Sequence, residues 1–258
     1  VRVLPALLLL LLLPAPLLLA QEKPGVVTEI ELPAAGKKDP PVVYAVYRAT
    51  SAKGDANLPL ILALHGGRGN ARQFAGFLQV VAEGQGAILV AAQGFREVVG
   101  ADGYWWKGDA EEAAMLDRLL DHVRKSFPVD PARLTVIGLA DGAELGIKWA
   151  VEKNRGVRGV IAVNFLWKPP AAAKAPKGMK FCFIASKDAK EKLASLAEQA
   201  GKAEKAISAA GYPVVLRIMP GESRSFFHGW ENEVAMAFSW FDGKLDWPKE
   251  LAAAAGGK

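Results

Sequence analysis

Apolar runs rich in β-branched residues recur along this chain, and helical patterns separate most of them. This alternation narrows the possible folds most. The runs are Val26–Leu32, Val42–Ala49, Leu58–Leu64, Ala87–Ala92, Leu134–Leu139, Val157–Phe165, Met179–Ala185 and Val214–Met219, which makes eight candidate strands. The first two lie close together and fit an antiparallel, hairpin-like start. From Leu58 onward the strands alternate with helices. Asn70 suits an N-cap for a helix to Gly84, with Phe74, Phe77, Leu78 and Val81 at helical spacing. Asp109–Phe127 has Glu111 and Glu112 in its first turn and Arg124 and Lys125 in its last, an order that matches the helix dipole. Further helices are expected over Gly142–Asn154, Asp188–Ala210 and Asn232–Phe241. Such alternation predicts an α/β fold, a mostly parallel sheet with helices on both faces and right-handed crossovers.

The first twenty residues read differently. Arg2 precedes an apolar run from Leu4 to Leu19, broken by Pro5, Pro14 and Pro16, and Ala20 precedes the polar Gln21. The pattern is that of a secretory signal peptide, with an uncleaved anchor as the alternative. It predicts a secreted or periplasmic protein with no membrane span after cleavage. Residues 21–245 then form a single domain and 246–258 a tail, expected to be frayed from Leu251. The chain holds one cysteine, Cys182, so no internal disulfide can form, and its apolar surroundings point to a buried, inert thiol. The formal charge of +5 is scattered without runs, and no nucleic-acid-binding motif is present. The three histidines lie far apart without ligand spacing, so no metal is expected.

The segment Val136-Ile137-Gly138-Leu139-Ala140-Asp141-Gly142-Ala143 drives a strand straight into a helix. Small residues two before and two after the central position are what a sharp strand–turn–helix elbow needs, because anything larger meets the neighbouring backbone. Gly138 and Gly142 supply them around Ala140. Here the chain resembles the α/β-hydrolase esterases, in particular the polyhydroxybutyrate-depolymerase/feruloyl-esterase-like and phospholipase/carboxylesterase-like groups. Val129-Asp130-Pro131-Ala132-Arg133 before the elbow strand and Leu64-His65-Gly66-Gly67-Arg68-Gly69-Asn70 after the third strand carry the same likeness. It spans roughly Leu58 to Phe241.

The resemblance implies an α/β-hydrolase fold of about eight strands, no cofactor, and a triad in the chain order nucleophile, acid, histidine. It puts the nucleophile position at Ala140, the acid at Asp188 and the base at His228. Backbone N–H groups at Gly66, Gly67 and Asp141 would form the oxyanion hole. Trp105, Trp106, Phe227 and Trp230 are candidates for contact with substrate. The departure is Ala140, since a methyl group cannot attack a carbonyl.

Each residue also has an ordinary structural reading. Asp188 suits a helix cap, His228 a surface loop, His65 a satisfied core position and His122 a surface helix face. One tryptophan of the Trp105–Trp106 pair would pack under its loop while the other stays half exposed. Ser186, Ser223 and Ser225 read as solvated loop serines rather than relocated nucleophiles. An elbow centred on Asp141 would put Leu139 where bulk is disfavoured.

Three functions follow from this pattern. The first is an exported, catalytically impaired hydrolase-fold protein, a monomer or weak dimer, that binds a small-molecule or polymeric ester-like ligand. The second is an active hydrolase with an unconventional nucleophile or a water activated by His228 and Asp188. The third is an interaction module with a vestigial cleft.

Overall fold

The computed structural model describes residues 23–34, 36, 40–52, 57–100, 103–167, 178–187, 195–220 and 229–256. The leader, Ser223, Ser225, Phe227, Asp188 and His228 lie outside the described residues. The elements run β1 (Val27–Leu32), β2 (Val42–Arg48), β3 (Leu58–Leu64), α1 (Ala71–Gln85), β4 (Ile88–Ala92), β5 (Arg96–Glu97) and β6 (Tyr104–Trp105). They continue with α2 (Ala110–Ser126), β7 (Val129–Leu139), α3 (Asp141–Lys153), β8 (Val157–Val163), β9 (Lys180–Lys187), α4 (Leu196–Ala209), β10 (Val214–Pro220), α5 (Trp230–Phe241) and α6 (Trp247–Gly256).

Among the described residues, eight strands form one sheet in the order β1-β2-β4-β3-β7-β8-β9-β10. β2 pairs antiparallel with both β1 and β4, and every other pairing is parallel. β3 and β4 are apolar throughout, and β7 and β8 are so in their buried carboxyl-end halves apart from Thr135, because both faces are covered there. Their side chains alternate between two cores. Leu58, Leu60, Leu62 and Leu64 of β3 join the core beneath α2, α3 and α4. Ile61 and Ala63 join the core beneath α1, α5 and α6. Cys182 of β9 is fully buried in the second core, and burial raises its thiol pKa, which keeps it protonated.

Local chemistry fixes the helix ends. The Asn70 side chain accepts from Gln73 N at 2.8 Å, and Gly86 closes α1 in the left-handed conformation at φ 57°. Asp109 caps α2 through Glu112 N, and Ser195 caps α4 through Glu198 N. Glu83 fastens the end of α1 to the turn after β2. It accepts from Tyr47 Oη at 2.5 Å, Thr50 N at 2.7 Å, Thr50 Oγ1 at 2.9 Å and Ser51 N at 3.1 Å.

In its scaffold the structure departs from the sequence reading at the C-terminal segment, at an added ribbon and at His122. The segment expected as a frayed tail is helical as far as Gly256, anchored by Trp247, which is 2% exposed and packs edge-on to Trp240. A two-stranded ribbon, β5–β6, was not expected. His122 is half-buried, with its Nε2 3.0 Å from Tyr44 Oη, rather than free on the surface.

Candidate active site

The parallel strands end in register, which lays their carboxyl-end loops side by side. Leu64 of β3 pairs with Gly138 of β7, and Leu139 pairs with Val163 of β8. In open α/β sheets this rim is where ligands bind.

Ala140 occupies the turn between β7 and α3 with φ 50° and ψ −120°, a conformation that L-residues rarely adopt. Packing imposes it. A Cβ on Gly138 would lie 2.4 Å from Ala143 Cα, and one on Gly142 would lie 2.3 Å from the His65 carbonyl oxygen. The elbow therefore closes only with glycine at both positions. Ala140 N donates to the Val163 carbonyl at 2.9 Å, and the Ala140 carbonyl receives Ala143 N and Glu144 N. Its side chain provides no cap to α3.

The His65–Asn70 loop lies against this elbow. His65 is 1% exposed and fully committed. Gly94 N donates to its Nε2 at 3.1 Å, so Nδ1 carries the proton and donates to the Gly66 carbonyl at 2.8 Å. Burial lowers its pKa and keeps the ring neutral. His65 is thus a structural residue. Gly66 packs tightly against Leu139, and its Cβ position lies 3.2 Å from Leu139 Cγ.

Asp141 is the first residue of α3. Its Oδ2 accepts from Trp106 N at 2.8 Å, while Oδ1 is shut away from solvent without a hydrogen-bond partner among the described residues. Burial raises the carboxyl pKa, and the N–H groups of Trp106, Gly67, Asp141 itself and Gly142 offset part of that rise. Two of the N–H groups expected to serve an oxyanion, those of Gly67 and Asp141, therefore already face a resident carboxylate.

The two tryptophans divide their roles. Trp106 is 3% exposed, and its Nε1 donates to the His65 carbonyl at 2.8 Å, so one residue ties the elbow to the glycine-rich loop. Trp105 is 40% exposed. Trp230 is buried at the start of α5 and stacks on Phe77 with ring centroids 4.7 Å apart.

A recess of about 370 Å³ opens beside the elbow. Its walls are the His65–Asn70 loop, Gln73, Phe74, Phe77 and Leu139. Of the described residues expected at the site, Gly66 and Gly67 line it, whereas Ala140, Asp141, Trp105, Trp106 and Trp230 do not. Arg68, Phe74 and Phe77 were not anticipated there. The signal was available only in part, since Phe74 and Phe77 read as core positions of a helix. Arg68 itself stands at φ 66°, another conformation L-residues rarely adopt. Behind the elbow, Asn164 Oδ1 accepts from Ser186 N at 2.7 Å and from Ser186 Oγ at 3.2 Å. Ser186 is thus a buried strand residue rather than a solvated loop serine. Among the described residues, no group of three or more His, Cys, Asp or Glu could hold a metal ion.

No known family profile matches the chain, and neither does any curated protein sequence. Solved structures do resemble it. A carboxylesterase from Mesorhizobium loti shares 19% identity at a TM-score of 0.61, over 78% of this chain and 95% of that one. An esterase from Pyrobaculum calidifontis shares 15% at 0.61, over 88% of each chain. A ferulic acid esterase shares 14% at 0.62, over 85% of this chain and 98% of that one. With the sheet order and the glycine-flanked elbow, these likenesses show that the chain has the α/β-hydrolase fold.

Proposed function

We propose that this chain is an exported member of a carboxylic-ester hydrolase lineage that has lost efficient turnover and keeps its cleft to bind an ester-like ligand. The observation that carries this reading is Ala140 itself, held at φ 50° between two glycines that admit no Cβ. Such a backbone costs about 1–3 kcal/mol, an arrangement that serves to present a side chain at the top of a sheet. Alanine presents nothing reactive there. Loss of the hydroxyl in a serine triad lowers turnover by on the order of 10⁶. The esterase descriptions of the structural neighbours support the lineage. In this reading Asp188 and His228 are the retained acid and histidine, and Gly66, Gly67 and Asp141 descend from the oxyanion loop, with the N–H groups of Gly67 and Asp141 now turned to the Asp141 carboxylate. Residues 1–20 direct export to the periplasm or beyond, and the protein acts as a monomer or weak dimer.

The test is to compare the chain with its Ala140→Ser variant on p-nitrophenyl and feruloyl esters, alongside fluorophosphonate labelling. Ester turnover and labelling only in Ala140→Ser are the expected outcome. Turnover and labelling of the parent that depend on His228 would establish a working hydrolase instead. Silence from both, with the fold intact, would point to a cleft that does no ester chemistry.

A further inference from the structure

The recess beside the elbow is chemically two-sided. Phe74, Phe77 and Leu139 make an apolar wall, with Phe77 left 42% exposed although it is stacked on Trp230. Arg68, exposed on the His65–Asn70 loop, is the cationic residue of the lining. Its backbone is clamped: Arg68 N donates to the Tyr104 carbonyl at 2.8 Å, and Gly69 bridges to Tyr104. Gly103 passes so close that a Cβ there would lie 2.3 Å from the Arg68 carbonyl oxygen. Gly103 and Tyr104 thus hold an arginine at φ 66°, where glycine would be unstrained. Among the described residues, the Arg68 guanidinium has no ion-pair partner.

We infer that Arg68 is a specificity residue, and that the cleft takes an amphipathic ligand whose carboxylate pairs with Arg68 while an aromatic or aliphatic body lies on Phe74, Phe77 and Leu139. Guanidinium matches carboxylate in a two-pronged geometry, which suits recognition of a planar anion. This inference rests on reading the cleft as a ligand site.

The experiment is isothermal titration of the full chain with 3-phenylpropionate, its methyl ester and 3-phenylpropan-1-ol at low and high salt. The acid is expected to bind about tenfold more tightly than either neutral analogue, with the advantage fading as salt rises. Arg68→Ala and Arg68→Gly should both abolish the preference while leaving the neutral analogues bound. The glycine variant relaxes the loop, so it separates lost charge from a disturbed fold. Equal binding of acid and alcohol, indifferent to Arg68, would overturn the specificity assignment and leave the cleft reading standing. Failure of all three probes to bind would overturn both.

Discussion

Replacing Ala140 by glycine is expected to make this protein more stable, the reverse of what Ala→Gly does almost everywhere else. The gain comes from releasing a non-glycine residue from φ 50° and ψ −120°, worth about 1–3 kcal/mol. Against it stands the extra freedom of glycine in the unfolded chain, about 0.4–1 kcal/mol. Removing a half-buried methyl costs about 0.4 kcal/mol more. The middle of these ranges leaves Ala140→Gly ahead by about 1 kcal/mol, or about 2–4 °C in midpoint for a chain of this size. Glycine is also the better residue at the start of a helix, which acts in the same direction. The assay is urea unfolding followed by far-ultraviolet circular dichroism, with Ala206→Gly as the control. Ala206 is exposed in the regular part of α4, where the same change costs about 1 kcal/mol. If Ala140→Gly loses stability as the control does, without a change in m-value, the elbow is not strained and the reasoning fails.

Two further predictions concern the frame around the site. Glu83 is held down to about 2 from an ordinary 4.5, first by the Tyr47 hydroxyl and then by the Thr50 N–H. A depressed carboxyl stabilises the fold above its unfolded pKa, and that share is lost as pH falls from about 4.5 towards 2. Glu83→Gln should therefore cost about 1 kcal/mol near neutrality, a modest figure because the clamp is partly solvated. It should also flatten the acid limb of a stability–pH curve over that window. The same slope in parent and variant would count against the clamp. Gly142→Ala should cost at least about 3 kcal/mol, the upper end for overpacking, because its Cβ would press on two main-chain oxygens, those of His65 and Leu64. Thermal unfolding close to that of the parent would show that the elbow can open.

Much of the scaffold was legible because its signals are local. Burial on both faces makes β3, β4 and β9 continuous apolar runs, and Asn70 and Asp109 announce helix starts by their own side-chain chemistry. Gly138 and Gly142 disclosed the elbow because sterics leave no other residue there. Other features depend on distant partners. α6 carries an Ala-rich stretch with little pattern, and Trp247 holds it through contact with the second core. Which tryptophan of the Trp105–Trp106 pair is buried follows from the β5–β6 ribbon, whose strands have two residues each and leave no periodicity to read. The recess was the least legible part. Phe77 obeys the helical spacing of a core residue yet stays partly open, and Arg68 is placed there by a turn whose shape depends on Gly103 and Tyr104, far along the chain.

Trp106 has a further consequence for how the cleft meets a ligand. Its indole N–H holds the loop after β3, and its peptide N–H holds the first residue of α3. The loop after β3 and the elbow are thereby fastened before any guest arrives. Association then carries no charge for ordering these loops, so even a shallow recess can convert modest contact into affinity. A wall locked in this way also adapts poorly. It favours guests that fit its existing outline and gives little to those that would need it to reshape.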